Sequence, residues 1–124
     1  GALAEACDVE LVFDFPSRFW GGLVAGLSDH RGSTVWGRLF EIFGEDWPIV
    51  QYKEGGITGM CVERTVRCRL ASGELVEATA FTTAPTRRSL DGAISHDFVA
   101  ALTAGARAAG LPPSWIAQLE SLAD

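Results

Sequence analysis

Between Met60 and Thr83 the sequence alternates with period two, breaks at Ala71-Ser72-Gly73 and alternates again, a pattern that demands a β-hairpin. Met60, Val62, Val66, Cys68 and Leu70 fall on one face of the outgoing strand. Cys61, Glu63, Thr65, Arg67 and Arg69 fall on the other, and Glu74–Thr83 returns as the partner. Upstream, Val9–Phe15 alternates as a first strand and ends at Pro16. Thr34–Ile42 is apolar on both faces, with Val35, Gly37 and Leu39 opposing Trp36, Phe40 and Ile42. That places it near the centre of a sheet or barrel. The first eight residues read as an edge or tail, and Gly21, Gly22, Gly26 and Gly32 mark an irregular strand or loop.

Helical signals come later in the chain. Asp46–Lys53 is a short helical segment, and Ala84–Ile94, with Pro85 and Gly92, is a loop long enough to shape a site. Ser95 caps a helix whose buried stripe is Phe98, Leu102, Ala106 and Ala109. Gly110 ends that helix, and Pro112-Pro113 opens another that packs Trp115 or Ile116, Leu119 and Leu122. Strands first and helices last, without alternating βα units, predict an α+β fold with an antiparallel sheet. A length of 124 residues suits one domain over residues 1–124.

Charge and composition exclude several function classes. The net charge of −6 argues against a nucleic-acid partner, since backbone binding needs a cationic surface. Lys53 is the only lysine, and the arginine pairs Arg67/Arg69 and Arg87/Arg88 make no extended stripe. No apolar run reaches the roughly 20 residues that span a bilayer, so no membrane partner is expected. Cys7, Cys61 and Cys68 are odd in number and form no CxxC pair, which predicts free thiols in a reducing, cytoplasmic setting. His30 and His96 belong to no ligand-spaced cluster, so no metal site is expected.

Phosphate-loop, dinucleotide, zinc-protease and nucleophile-elbow motifs are missing from the sequence. Ser28-Asp29-His30 has the composition of a triad, but consecutive residues point in different directions and read as a polar turn. What remains is Lys53-Glu54-Gly55-Gly56-Ile57-Thr58-Gly59-Met60, a carboxylate at a helix end followed by glycine-rich backbone. Glycines let backbone approach a ligand closely, and a loop glutamate beside them can exchange protons with it.

Three motifs in order resemble the gamma-glutamylcyclotransferase-like superfamily. They are Thr34-Val35-Trp36-Gly37-Arg38-Leu39-Phe40-Glu41, then Glu54-Gly55-Gly56-Ile57-Thr58-Gly59-Met60, then Gly105-Ala106-Arg107-Ala108-Ala109-Gly110-Leu111-Pro112. The resemblance implies a small mixed, mainly antiparallel β-barrel with flanking helices. It implies a cofactor-free reaction on a γ-glutamyl amine or peptide, in which the glutamyl group cyclises to 5-oxoproline and the attached amine leaves. Glu54 matches the family's catalytic general acid/base, with Gly55, Gly56, Gly59, Cys61 and Phe81 around the bound glutamyl group.

The chain departs from the family pattern at identifiable places. It has no Tyr-Gly-Ser loop, and Cys61, Phe81 and Phe98 fall near positions where tyrosines often occur. Two readings follow: an enzyme acting through Glu54, or a binding or assembly module of the same fold that has lost turnover. A domain lacking the family's N-terminal strand and loop would leave an unpaired sheet edge, which predicts a homodimer or assembly with a chain supplying that strand.

Overall fold

The strand at the heart of the sheet is the one formed by the first residues of the chain. The computed structural model describes residues 1–56 and 59–123; Ile57 and Thr58, inside the glycine-rich motif, lie outside them. Strand β1 (Ala2–Ser17) pairs antiparallel with β2 (Gly22–Leu39) and, through Ala4–Cys7, with β3 (Cys61–Leu70). Strand β4 (Leu75–Thr83) completes the order β2-β1-β3-β4. The predicted hairpin forms with Cys61 opposite Thr83 and Arg69 opposite Leu75.

Two expectations for the first third of the chain are corrected. Residues 2–8 are not a tail: Ala4 is buried between two neighbouring strands. The glycine-rich stretch is the irregular strand the sequence predicted, running from Gly22 with a break in register opposite Asp8 where Gly32 has φ +86, and Gly26 shows why it carries glycine. A Cβ there would lie 2.8 Å from Thr83 Oγ1, 2.9 Å from Thr82 Oγ1 and 3.0 Å from Asp14 Oδ1, so only glycine allows the strands to approach. The strand predicted over Thr34–Ile42 ends at Leu39 and lies at the sheet edge, not its centre. Two apolar faces require cover above and below a strand, not neighbours on both sides.

That cover is visible in the two cores. Ala4, Val9, Val66 and Cys68 form a cluster inside the curl of the sheet, where Val35 and Leu39 of β2 join them. Between sheet and helices lies a second cluster of Ala106, Leu111, Trp115 and Leu119, against which Leu3, Leu11 and Trp36 pack. Leu119 is fully buried, a burial that contributes about 1.5–3 kcal/mol. The ladder does not close into a complete barrel. Its two edges meet where the Thr82 hydroxyl accepts from Leu27 N (2.9 Å) and donates to Leu27 O (3.1 Å).

The helices follow their sequence signals closely. Helix α1 (Trp47–Lys53) starts at Asp46 with Pro48 in its first turn. Helix α2 (His96–Ala108) is capped by Ser95, whose Oγ accepts from Phe98 N at 3.1 Å and donates to Trp20 O at 2.6 Å. Its most buried residues are Val99, Thr103 and Ala106, a face turned one residue from the predicted stripe, with Phe98 and Leu102 half-buried. Gly110 ends the turn at φ +72, and α3 (Pro113–Ser121) follows with Trp115 and Leu119 buried.

Candidate active site

Helix α1 hangs over the open end of the hairpin, and its end places Glu54. The helix is fixed from both sides. Gln51 Nε2 donates to Glu63 Oε2 at 2.8 Å, and the Trp47 ring packs on Phe81 with centroids 5.8 Å apart. Gly55 has φ +78, a conformation that favours glycine, and its N–H donates to Tyr52 O at 3.2 Å. The Gly56 N–H donates to Gln51 O at 2.8 Å, and a Cβ at Gly56 would stand 3.2 Å from the Phe81 ring. Both amides are therefore engaged within the turn, and glycine at 56 admits the close approach of Phe81. Gly59, at φ +78, leads the chain towards β3.

A cleft of about 840 Å³ opens beside this turn, within the roughly 300–1,000 Å³ usual for small-molecule sites. Trp47, Val50 and Glu54 of the α1 region form one wall, the stretch Arg38–Ile42 a second, and the hairpin through Leu70, Glu74 and Val76–Thr79 a third, with Phe81. Glu54 is exposed here and makes no ion pair among the described residues. Thr79 carries the one hydroxyl among the described lining residues. Phe98 lies elsewhere: its ring packs edge-on against Phe13 and Trp20 at 6.2 and 5.6 Å.

Cys61, which is not among the described residues lining the cleft, feels the charges of both Glu54 and a polar cluster that sequence reasoning missed. Burial pushes its thiol pKa up, and the charges of Glu54 and Asp14 push it further the same way. Thiol, not thiolate, is the form at neutral pH, so Cys61 is no activated nucleophile. Asp14 is 4% exposed, accepts from Thr83 Oγ1 at 2.7 Å and lies 3.5 Å from Arg88 Nε. The Ser89 N–H donates to Asp14 O at 2.8 Å, so the same residue ties the 84–94 loop to β1. A carboxylate flanked by Phe13 and Phe15 was the available signal. Buried charges require partners, and those partners come from residues 69 and 74 positions away.

The fold is that of an α+β protein with a cleft between its hairpin, the α1 region and the end of β2. The family model for the AIG2-like family matches residues 34–119, and the chain belongs to that family. Among solved structures it is similar to a gamma-glutamyl cyclotransferase, with TM-score 0.85 and 21% identity over 97% of this chain and 72% of the other. An uncharacterised human protein gives 0.84 and 22% over 97% and 72%. The Bacillus subtilis protein YkqA gives 0.81 and 16% over 98% of this chain and 43% of its own. These likenesses establish the gamma-glutamyl cyclotransferase-like fold. No curated protein sequence matches the chain.

Proposed function

We propose that this protein cyclises a γ-glutamyl group to 5-oxoproline and releases the attached amine, with Glu54 as proton carrier. The observation that carries the reading is Glu54 lining the 840 Å³ cleft from the end of α1, next to Gly55-Gly56 and close enough for its charge to act on Cys61. In this reaction the substrate's α-ammonium loses a proton to Glu54, and the freed amine attacks its own γ-carbonyl carbon. As the ring closes, the attacking nitrogen, which still carries two hydrogens, gives one up to solvent. The scissile C–N bond breaks, and the proton held by Glu54 passes to the leaving nitrogen. The released amine takes a further proton from water to become an ammonium ion. The nucleophile is tethered, which lowers the barrier by several kcal/mol before the protein acts. Phe81 lines the cleft with Glu54 and would bound the glutamyl group, while Gly55, Gly56, Gly59 and Cys61 are not among the described lining residues.

The experiment is a search for 5-oxoproline by mass spectrometry across γ-glutamyl amines and dipeptides, repeated with Glu54→Gln. Loss of general acid–base catalysis should lower turnover by about 10²–10⁴-fold. Glu54 is exposed and unpaired among the described residues, so the melting temperature should hold within a few degrees. Wild-type turnover in the variant would eliminate Glu54 as the base. A second reading, a binding module of the same fold, draws support from Cys61 and Phe81, which bring no hydroxyl to the site. Absence of 5-oxoproline from every substrate would favour it.

A further inference from the structure

The charges around the cleft are one-sided. Each of its walls contributes a carboxylate: Glu41 after β2, Glu54 after α1, and Glu74 and Glu77 on the hairpin. Against these four stands one cation among the described lining residues, Arg38. Its guanidinium is already committed to backbone, donating to Gly1 O at 2.9 Å and through two nitrogens to Ala109 O. Arg67 lies opposite Glu77 in the β3–β4 ladder but does not line the cleft and forms no ion pair with it. The floor between these acids is apolar, made by Val50, Phe40, Ile42, Val76 and Phe81.

We infer that this cleft selects γ-glutamyl substrates whose leaving amine carries a second, cationic end on an aliphatic chain. Substrates whose leaving amine ends in a carboxylate are disfavoured. The inference rests on the proposed cyclisation for its substrate class, and on the cleft's lining for the charge preference. One carboxylate, Glu54, is assigned to chemistry. The other three have no role in cyclising a glutamyl group, whose reacting atoms occupy only part of 840 Å³. The remaining volume holds the amine side, where an apolar floor accepts methylenes and the carboxylates attract a terminal ammonium. A cleft lined by one sign of charge raises the local concentration of the opposite ion and repels its own. A free carboxylate on the departing group would meet repulsion from three walls and no available cation.

A matched series tests this: γ-glutamyl amides of 1,5-diaminopentane, pentylamine and 6-aminohexanoate, which differ only in terminal charge. At low salt, kcat/KM for the cationic member should exceed that for the anionic one by ~10-fold or more, with the neutral amide between. Glu41→Gln/Glu74→Gln/Glu77→Gln should bring the three within about 2-fold, and so should high salt, because exposed charges are screened. These side chains are exposed, and circular dichroism checks that the triple variant folds. A second arm needs no turnover: N-acetyl-1,5-diaminopentane, N-pentylacetamide and 6-acetamidohexanoate are titrated by NMR. Cation-first binding that vanishes in the triple variant sustains the inference even for a protein that makes no 5-oxoproline. Equal binding, anion-first binding, or no binding of any probe at millimolar concentration would overturn it.

Discussion

Gly26→Ala should be strongly destabilising, and its cost can be worked out atom by atom. The added Cβ would stand 2.8 Å from Thr83 Oγ1, 2.9 Å from Thr82 Oγ1 and 3.0 Å from Asp14 Oδ1. None of the three can withdraw freely. Thr82 holds Leu27 and joins the sheet edges, while Thr83 is 1% exposed and donates to the buried Asp14 carboxylate. Overpacking of this kind costs about 1–3 kcal/mol. A weakened hydrogen bond to a buried charge adds about 1.5–3 kcal/mol, while the stiffer unfolded chain returns about 0.4–1. A net loss of about 3 kcal/mol should lower Tm by on the order of 10 °C, read by thermal circular dichroism at neutral pH. Gly37→Ala is the control on the same strand, where a Cβ meets nothing within 4 Å and φ is ordinary. It should be neutral or stabilising by about 0.4–1 kcal/mol. Equal melting temperatures for the two variants would refute the claim that Gly26 is held by close approach.

Two further predictions use the thiols. Glu54→Gln removes one of the charges that raise the Cys61 pKa, so Cys61 should ionise at lower pH and react faster with iodoacetamide at fixed alkaline pH. Site-resolved mass spectrometry reads this, and an unchanged Cys61 rate would separate the two side chains. Cys68 is also raised above 9.0, by burial and then by Cys7, so the folded state holds its proton more tightly than the unfolded chain does. Its contribution is fully present below about pH 9 and is lost as pH rises through the higher folded value. Urea midpoints should therefore fall more steeply above about pH 9 in wild type than in Cys68→Ala. Identical slopes would refute it.

Wherever a structural choice depends on neighbours within a few residues, it was legible in the sequence. The β3–β4 hairpin follows from alternation around Ala71–Gly73. The start of α2 follows from Ser95 and its end from Gly110, since capping is satisfied inside one turn. Glu54 was likewise visible, because a carboxylate at a helix end followed by glycines is a local pattern. Within α2 the face was misjudged by one residue, since Phe98 is drawn to Phe13 and Trp20 while Val99 takes the fully buried position.

Tertiary structure decided everything that small residues and long-range partners control. Ala2–Cys7 looked featureless because alanine has little strand propensity, yet a crowded central strand has room for little else. Gly26 reads as a break because sequence cannot show that Thr82, Thr83 and Asp14 would stand where its Cβ should go. The buried Asp14 pair with Thr83 and Arg88 had the same invisibility, and so did the gathering of Glu41, Glu74 and Glu77 around Glu54. Residues spread from 41 to 77 in the chain share a cleft only after the hairpin folds back beneath α1 and β2. Local sequence marked the hairpin, the helices and Glu54; packing between distant strands chose the strand order and the charge that surrounds the cleft.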